Sequence, residues 1–217
     1  SQITTLYGSS STGIGNPMSL SPKPVAYYPL GDQDVYNGAS YLVPNASLQD
    51  YVFGFDGAAT SSFIEFNNSI SLNNNYTFSI WFNPDVVNKL QVLAYDTTSA
   101  IKFISLESNS TSIRVRDGVN EITFTVPTIL ANNWYNLVLQ VSAGVAKLFL
   151  NNNESSTGSL TLNSSWGIKR INGYSNQHGG DYNFNGEMSN AQIFNTALSS
   201  TDIETLYNYG SPIQTLA

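Results

Sequence analysis

Cysteine is absent from this 217-residue chain, histidine occurs once, and charged residues make up only 11% of it. Each shortage closes off a class of chemistry. Without thiols there are no disulfides, no cysteine nucleophile, no iron–sulfur cluster and no zinc–thiolate site. The lone imidazole, His178, rules out a histidine-rich metal centre and leaves any Ser-His-Asp triad only that base. Eight Lys and Arg stand against fifteen Asp and Glu, for a net charge of −7. Only Arg114/Arg116 and Lys169/Arg170 are even locally clustered, so the basic footprint that phosphate backbones demand is missing. No apolar run approaches the roughly 18 residues of a membrane-crossing helix, and the first residues do not read as a signal peptide.

Uncharged polar residues fill the gap: Asn, Ser and Thr occupy about a third of the positions. Aromatics reach 12%, with 13 Tyr, which is too many for a disordered chain. Residues 1–24 are rich in Ser, Gly and Pro, lack sustained periodicity, and read as a leader. Its few large apolar side chains, Ile3, Leu6, Tyr7, Ile14, Met18 and Leu20, do not suffice to order it, so the expectation is an assembly arm held by a partner chain. From Val25 the texture becomes short runs of Tyr, Phe, Val, Ile and Thr between Gly/Asn/Asp clusters, the pattern of an all-β protein. Strands are predicted at 25–30, 51–56, 62–66, 76–82, 90–96, 101–107, 112–116, 122–126, 134–141, 145–151, 168–173 and 184–195. Asp117-Gly118 and Ser142-Ala143-Gly144 mark hairpins. In 199–210, Ser199 and Asp202 have capping-box spacing, Ile203, Leu206 and Tyr207 share a face, and Gly210 sits where a helix stops. The predicted fold is an all-β, two-sheet antiparallel sandwich over 25–210 with one short C-terminal helix, followed by a tail at 211–217.

The ordered set VAYYPLGD, YVFGFDGAATSSFIEF, YTFSIWFNPD, NNWYNLVLQVSAGVAKLFLNN and YNFNGEMSNAQIFNTALSSTDIETLYNYG resembles laminin-G-like, concanavalin-A-like jelly-roll domains, most of all their pentraxin-related branch in bacterial and bacteriophage surface proteins. The leader TLYGSSSTGIGNP before AYYPLGDQD is similar to virion structural proteins of marine bacteriophages. The resemblance implies a jelly roll that binds glycans or proteins through loops at the sandwich edge, often with a structural calcium. It implies a virion-surface setting with neighbouring subunits or cell-surface glycans as partners; a secreted bacterial adhesin module is the alternative. One departure bears on the calcium. Where many relatives carry an acid after the G-x-hydrophobic of the penultimate strand, this chain reads Gly186-Glu187-Met188-Ser189-Asn190, and the neutral Ser189 is a poor ligand. No cofactor is expected.

Hydrolases of this fold carry a compact E-x-D-x-x-E strand motif, and nothing here matches it; Glu65, Glu107 and Glu121 stand apart. A non-enzymatic protein is expected, with a glycan-cleaving enzyme as the remote alternative. Gly31-Asp32-Gln33-Asp34, Asp56 and Asp181 offer oxygens to a hard cation, although Asp56 before Gly57 is equally a turn residue. The stretch 173–184 gathers the only His with Tyr, Asn and Asp between two strands. Tyr174, Asn176, His178, Asp181 and Tyr182, with Trp166 as an exposed neighbouring ring, are the candidate ligand-binding residues. Aromatic faces stack on sugar rings while amides, carboxylates and imidazole bond hydroxyls. Trp81 and Trp134 lie within strands and are expected to pack. The six N-x-S/T sequons are what this composition produces by chance.

Overall fold

A computed structural model of the chain describes residues 26–28, 41–44, 51–57, 63–97, 102–155, 160–161, 166–172 and 182–210. The leader, the Gly31–Asp34 stretch and the tail at 211–217 lie outside the described residues. In chain order the strands are β1 (Ala26–Tyr28), β2 (Tyr41–Pro44), β3 (Tyr51–Asp56), β4 (Phe63–Leu72), β5 (Tyr76–Pro84), β6 (Gln91–Tyr95), β7 (Lys102–Leu106) and β8 (Ser112–Asp117). They continue with β9 (Glu121–Thr125), β10 (Tyr135–Ser142), β11 (Val145–Leu150), β12 (Asn153–Glu154), β13 (Leu160–Thr161), β14 (Trp166–Asn172) and β15 (Asn185–Phe194), before helix α1 (Ser200–Gly210).

Two sheets result. A nine-stranded sheet runs β12-β11-β10-β5-β15-β3-β2, with β1 added to β15 and β13 to β11; a six-stranded sheet runs β4-β14-β6-β7-β8-β9. The strand pairs are antiparallel throughout the described residues. Alternation sends one face of each sheet inward: Tyr76, Phe78, Ile80 and Phe82 of β5, Leu137 and Leu139 of β10, Ile104 of β7 and Val115 of β8 share one core. Although β3 and β4 flank the Gly57 turn, they belong to different sheets, so the connection crosses the sandwich rather than closing a hairpin. β4 also runs six residues further than predicted, because a bulge opposite Lys169 shifts its register between Glu65 and Ile70. The Lys169 ammonium donates to the Phe66 and Asn67 carbonyls inside that bulge, replacing ladder bonds the strand forgoes.

Asparagine explains much of the chain geometry. Among the described residues, five of the seven non-glycine residues with positive φ are Asn: 132, 151, 152, 172 and 190. Its short amide tolerates the left-handed region and bonds nearby backbone, as Asn75 Oδ1 does in accepting from Ala143 N at 2.9 Å. Ala143 (φ 48°) and Gly144 (φ 79°) form the two-residue turn joining β10 to β11. The predicted helix cap is present: Ser199 Oγ accepts from Asp202 N at 3.2 Å, and Asp202 Oδ2 accepts from Ser199 N at 3.1 Å.

Gly186 sets a tight steric limit on the fold. Its φ is +141°, and a Cβ there would lie 2.1 Å from Asn83 O and 2.9 Å from Pro84 Cα, on the partner strand's backbone. At Gly57 (φ +74°) the nearest atom would be Asn185 Cβ at 3.1 Å. Gly186→Ala should cost about 3 kcal/mol or more, whereas Gly57→Ala should cost about 1 kcal/mol. Urea unfolding of both variants measures this, and a Gly186→Ala protein as stable as its parent would contradict the packing described.

Candidate functional site

The chain leaves the six-stranded sheet at Asn172, the end of β14, and is next described at Tyr182. Both ends of that excursion are clamped. Asn172 Oδ1 accepts from Phe184 N at 2.7 Å, and its Nδ2 donates to Phe184 O at 3.3 Å, so one side chain replaces a strand partner. The left-handed backbone of Asn172 (φ 58°) turns the amide to this task. Phe184 is fully buried and meets Phe55 and Phe82 edge-on, with centroids 6.4 and 6.2 Å away. Val92 N donates to Tyr182 O at 2.7 Å, and Asn185 N donates to Gln91 Oε1 at 2.9 Å while Gln91 Nε2 reaches Val86 O at 2.6 Å. Residues 182–185 are thereby held along the start of β6, and Val92 forms a parallel bridge with Asn183.

Tyr182 comes to rest on the outward face of the six-stranded sheet. That face carries its own aromatic cluster, Val92, Tyr95 and Phe103, with Leu90 and Tyr182 packed against it. Tyr182 is half-buried. A single register row crosses all six strands here: Glu65, Arg170, Tyr95, Phe103, Arg116, Glu121. Arginine flanks the aromatics on both sides. The Arg170 guanidinium lies 4.0 Å from the Phe63 centroid, and Arg114, one row along, lies 5.5 Å from that of Phe103.

The carboxylates of this face are engaged. Arg114 Nε donates to Glu107 Oε1 at 2.9 Å, Arg116 Nε to Glu121 Oε2 at 3.0 Å, and Arg170 Nη2 pairs with Glu65 Oε2 at 2.6 Å. Two buried acids hold backbone: Asp96 Oδ2 accepts from Gly167 N at 3.1 Å, and Asp117 Oδ1 accepts from Asn120 N at 2.7 Å. Partial burial pushes the Glu65 carboxyl up, but the hydrogen bond and charge of Arg170, with the charge of Lys169, outweigh it, so the group titrates below its ordinary 4.5.

Of the predicted site residues, Tyr174, Asn176, His178 and Asp181 lie outside the described residues. Tyr182 sits at the site. Trp166 does not present an exposed ring. β14 begins two residues earlier than predicted, so Trp166 is a strand residue, 3% exposed, edge-on to Tyr76 at 6.5 Å and donating Nε1–H to its hydroxyl at 3.3 Å. Burial holds that Tyr76 hydroxyl well above its usual titration range. Trp81 packs under the helix, whereas Trp134 is half-buried just before β10 and not within it as expected. The residues the sequence reading missed are Asn172, Gln91 and Phe184, the clamp, and Leu90, Val92, Tyr95 and Phe103, the platform. An Asn-Gly pair at a strand end was the one local signal for the clamp.

The acid within residues 187–190 is engaged inside the sheet. Glu187 Oε2 accepts from Asn83 Nδ2 at 3.2 Å, and Ser189 is 5% exposed opposite Trp81 within the sheet. Among the described residues no group of three or more His, Cys, Asp or Glu converges.

Because the folded-state titration of Glu65 is depressed, its pairing stabilises the domain above the unfolded value and that contribution is lost as pH falls through the folded one. Melting curves between about pH 5 and pH 3 should therefore fall more steeply for the parent than for Glu65→Gln. Half a molar salt should shrink the difference, since the pair is partly exposed and screened. Parallel curves would show that the pair contributes nothing.

Residues 56–204, more than half of the chain, match the laminin-G-like family described as the concanavalin A-like lectin/glucanases superfamily. No curated protein sequence matches significantly. Among solved structures, domain 4 of AbnA, an extracellular arabinanase from Geobacillus stearothermophilus crystallised with arabinotriose, is 16% identical with a TM-score of 0.60, covering 79% of this chain and 82% of that one. Trypanosoma rangeli sialidase with sialic acid is 13% identical at TM-score 0.63, and this chain, 95% covered, spans 36% of it. The heptameric SAP-like pentraxin from Limulus polyphemus is 16% identical at TM-score 0.57, over 71% of this chain and 80% of that one. At such identities the structures speak to the fold alone, a jelly roll that glycosidases and lectin-like proteins share. The family match decides membership: this chain belongs to the laminin-G-like domains of the concanavalin A-like lectin/glucanases superfamily.

Proposed function

We propose that the chain is a non-catalytic glycan-binding module whose ligand meets the clamped β14–β15 connection and the outward aromatic face beside it. The observation that carries this reading is Tyr182, half-buried on the Val92–Tyr95–Phe103 cluster and fixed through its own backbone to Val92. A sugar face needs a ring whose position is set before binding, because ordering it afterwards weakens affinity. Tyr174, Asn176, His178 and Asp181 would supply hydroxyl partners from the same connection. The similar structures crystallised with arabinotriose, and the botulinum neurotoxin serotype D ligand binding domain with N-acetylneuraminic acid (15% identical, TM-score 0.63, 87% of this chain and 51% of that one), support a glycan over a protein ligand. A non-catalytic role is supported by Glu65, Glu107 and Glu121 all lying in arginine pairs, with Glu65 held on the side opposite to that of a general acid.

The setting we propose is a bacteriophage virion surface, on capsid or tail, where the module contacts neighbouring subunits and host-cell glycans. The leader's likeness to virion structural proteins supports this over a secreted adhesin.

On a glycan array the parent should bind at least one class of glycan, Tyr182→Ala should lose that binding at least tenfold, and its melting point should stay near the parent's, since Tyr182 packs at the edge of its cluster. Asn172→Ala should lose binding and also about 1–3 kcal/mol of stability, because two buried bonds to Phe184 go unmade. A parent that binds no glycan at millimolar concentration, or a Tyr182→Ala that binds unchanged, would turn the account toward a purely structural subunit.

A further inference from the structure

The outward face of the nine-stranded sheet beneath helix α1 has two halves. In one, Val138, Phe149, Phe194 and Leu198 meet Ile203 and Leu206 in an apolar cluster. In the other, the outward residues of three adjacent strands are polar: Ser79, Trp81 and Asn83 on β5, Asn136 on β10, and Gln192 on β15. All but the half-buried Asn83 are nevertheless shielded, with Asn136 0%, Ser79 1%, Trp81 4% and Gln192 5% exposed. Tyr207 of α1 stacks on Trp81 with centroids 5.7 Å apart and planes 14° apart, closing the helix side of this half.

Four buried side-chain atoms in the seam have no protein partner: Trp81 Nε1, Asn83 Oδ1, Asn136 Oδ1 and Gln192 Oε1. Native proteins leave few such atoms, because each bears its whole desolvation penalty. Here they gather on one patch of one sheet. Trp81 lies directly opposite Asn136, and Ser79 directly opposite Gln192, so the orphans occupy neighbouring register positions. The existing link is weak: Asn136 Nδ2 reaches Ser79 Oγ only at 3.4 Å.

Adjacent strands are about 4.8 Å apart, beyond the roughly 2.9 Å of a direct bond and close to what two hydrogen bonds through one small molecule span. The chemistry is complementary as well. Indole Nε1 can only donate and the amide oxygens can only accept, so the occupant must both accept and donate, and must be small enough for a patch in which Asn136, Trp81 and Gln192 are each buried. Water meets both conditions, and it takes two to four polar partners, the number of orphaned atoms gathered here. We infer that this seam is a built hydration site, in which ordered water held by Trp81 Nε1, Asn136 Oδ1 and Gln192 Oε1 ties β5, β10 and β15 together under α1. The half of the interface around Phe194 is dry and the half around Trp81 is wet.

Two measurements on the full chain test this. A crystal structure at about 1.5 Å should show ordered water density within hydrogen-bond distance of both Trp81 Nε1 and Asn136 Oδ1. Gln192→Met keeps the volume but removes an acceptor. In a hydrated seam it strips the water of a partner and should lower the melting midpoint by about 2–4 °C. In a dry seam the same change removes an orphan and raises the midpoint. Clear density at 1.5 Å with no water at these atoms, or a Gln192→Met protein that melts above its parent, overturns the inference.

Discussion

Strand β5 is buried on both faces, and the remainder of the domain is arranged to keep it so. Toward the facing sheet it presents Tyr76, Phe78, Ile80 and Phe82; on the side that carries helix α1 it presents Thr77, Ser79 and Trp81. Burying the four large side chains alone is worth on the order of 6–12 kcal/mol before the entropy of ordering them is subtracted. The outward set carries polar groups, and bonding Thr77 fixes the position of the segment before the helix. Thr77 Oγ1 donates to Thr196 O at 2.9 Å and accepts from Leu198 N at 3.0 Å, tying the segment before the helix to the sheet. Gln140 donates to the Leu198 carbonyl as well. The helix is thus the cover of a central strand, docked through Ile203 and Leu206 and capped at Ser199.

The second consequence of a closed sandwich is that its loops can be held without contributing to the core themselves. Phe184 enters the core beside Phe55 and Phe82, and Asn172 bonds its backbone on both sides. The connection between them leaves and returns at fixed points. Tyr182, two residues before the anchor, is delivered to the outward face of the other sheet, beside rings whose flanks carry arginine. Those arginines are neutralised by Glu65, Glu107 and Glu121, so the face is polar and patterned rather than basic. That suits a neutral or mixed ligand better than a polyanion, in keeping with the chain's net charge of −7.

Much of the architecture was legible because period-two alternation, turn chemistry and capping are local. Tyr51–Asp56 was bounded to the residue, the Ala143-Gly144 turn followed from its glycine, and Ser199-x-x-Asp202 announced the helix. Alternation says which side of a strand is apolar but not which sheet receives it, and so the crossing between β3 and β4 was invisible. β12 and β13, two residues each, are too short to show a period. Trp166 was misread because its Ser and Gly neighbours resemble a loop, whereas Gly167 is small for another reason: a Cβ there would meet Ser69 Oγ at 2.5 Å. The clamp was hidden more deeply. Among 26 asparagines, only the three-dimensional partner, a phenylalanine backbone twelve residues on, distinguishes Asn172 from one that merely turns the chain.

Glycan recognition is proposed at one place, the clamped ends of the β14–β15 connection and the aromatic face that Tyr182 joins. Titrating the ¹⁵N-labelled domain with a glycan that binds it, and mapping the amide shifts, addresses that claim residue by residue. Shifts concentrated at Asn172–Phe184, Leu90–Tyr95 and Phe103 are the predicted result. Shifts centred instead on helix α1 or on the Ala143-Gly144 hairpin would contradict it.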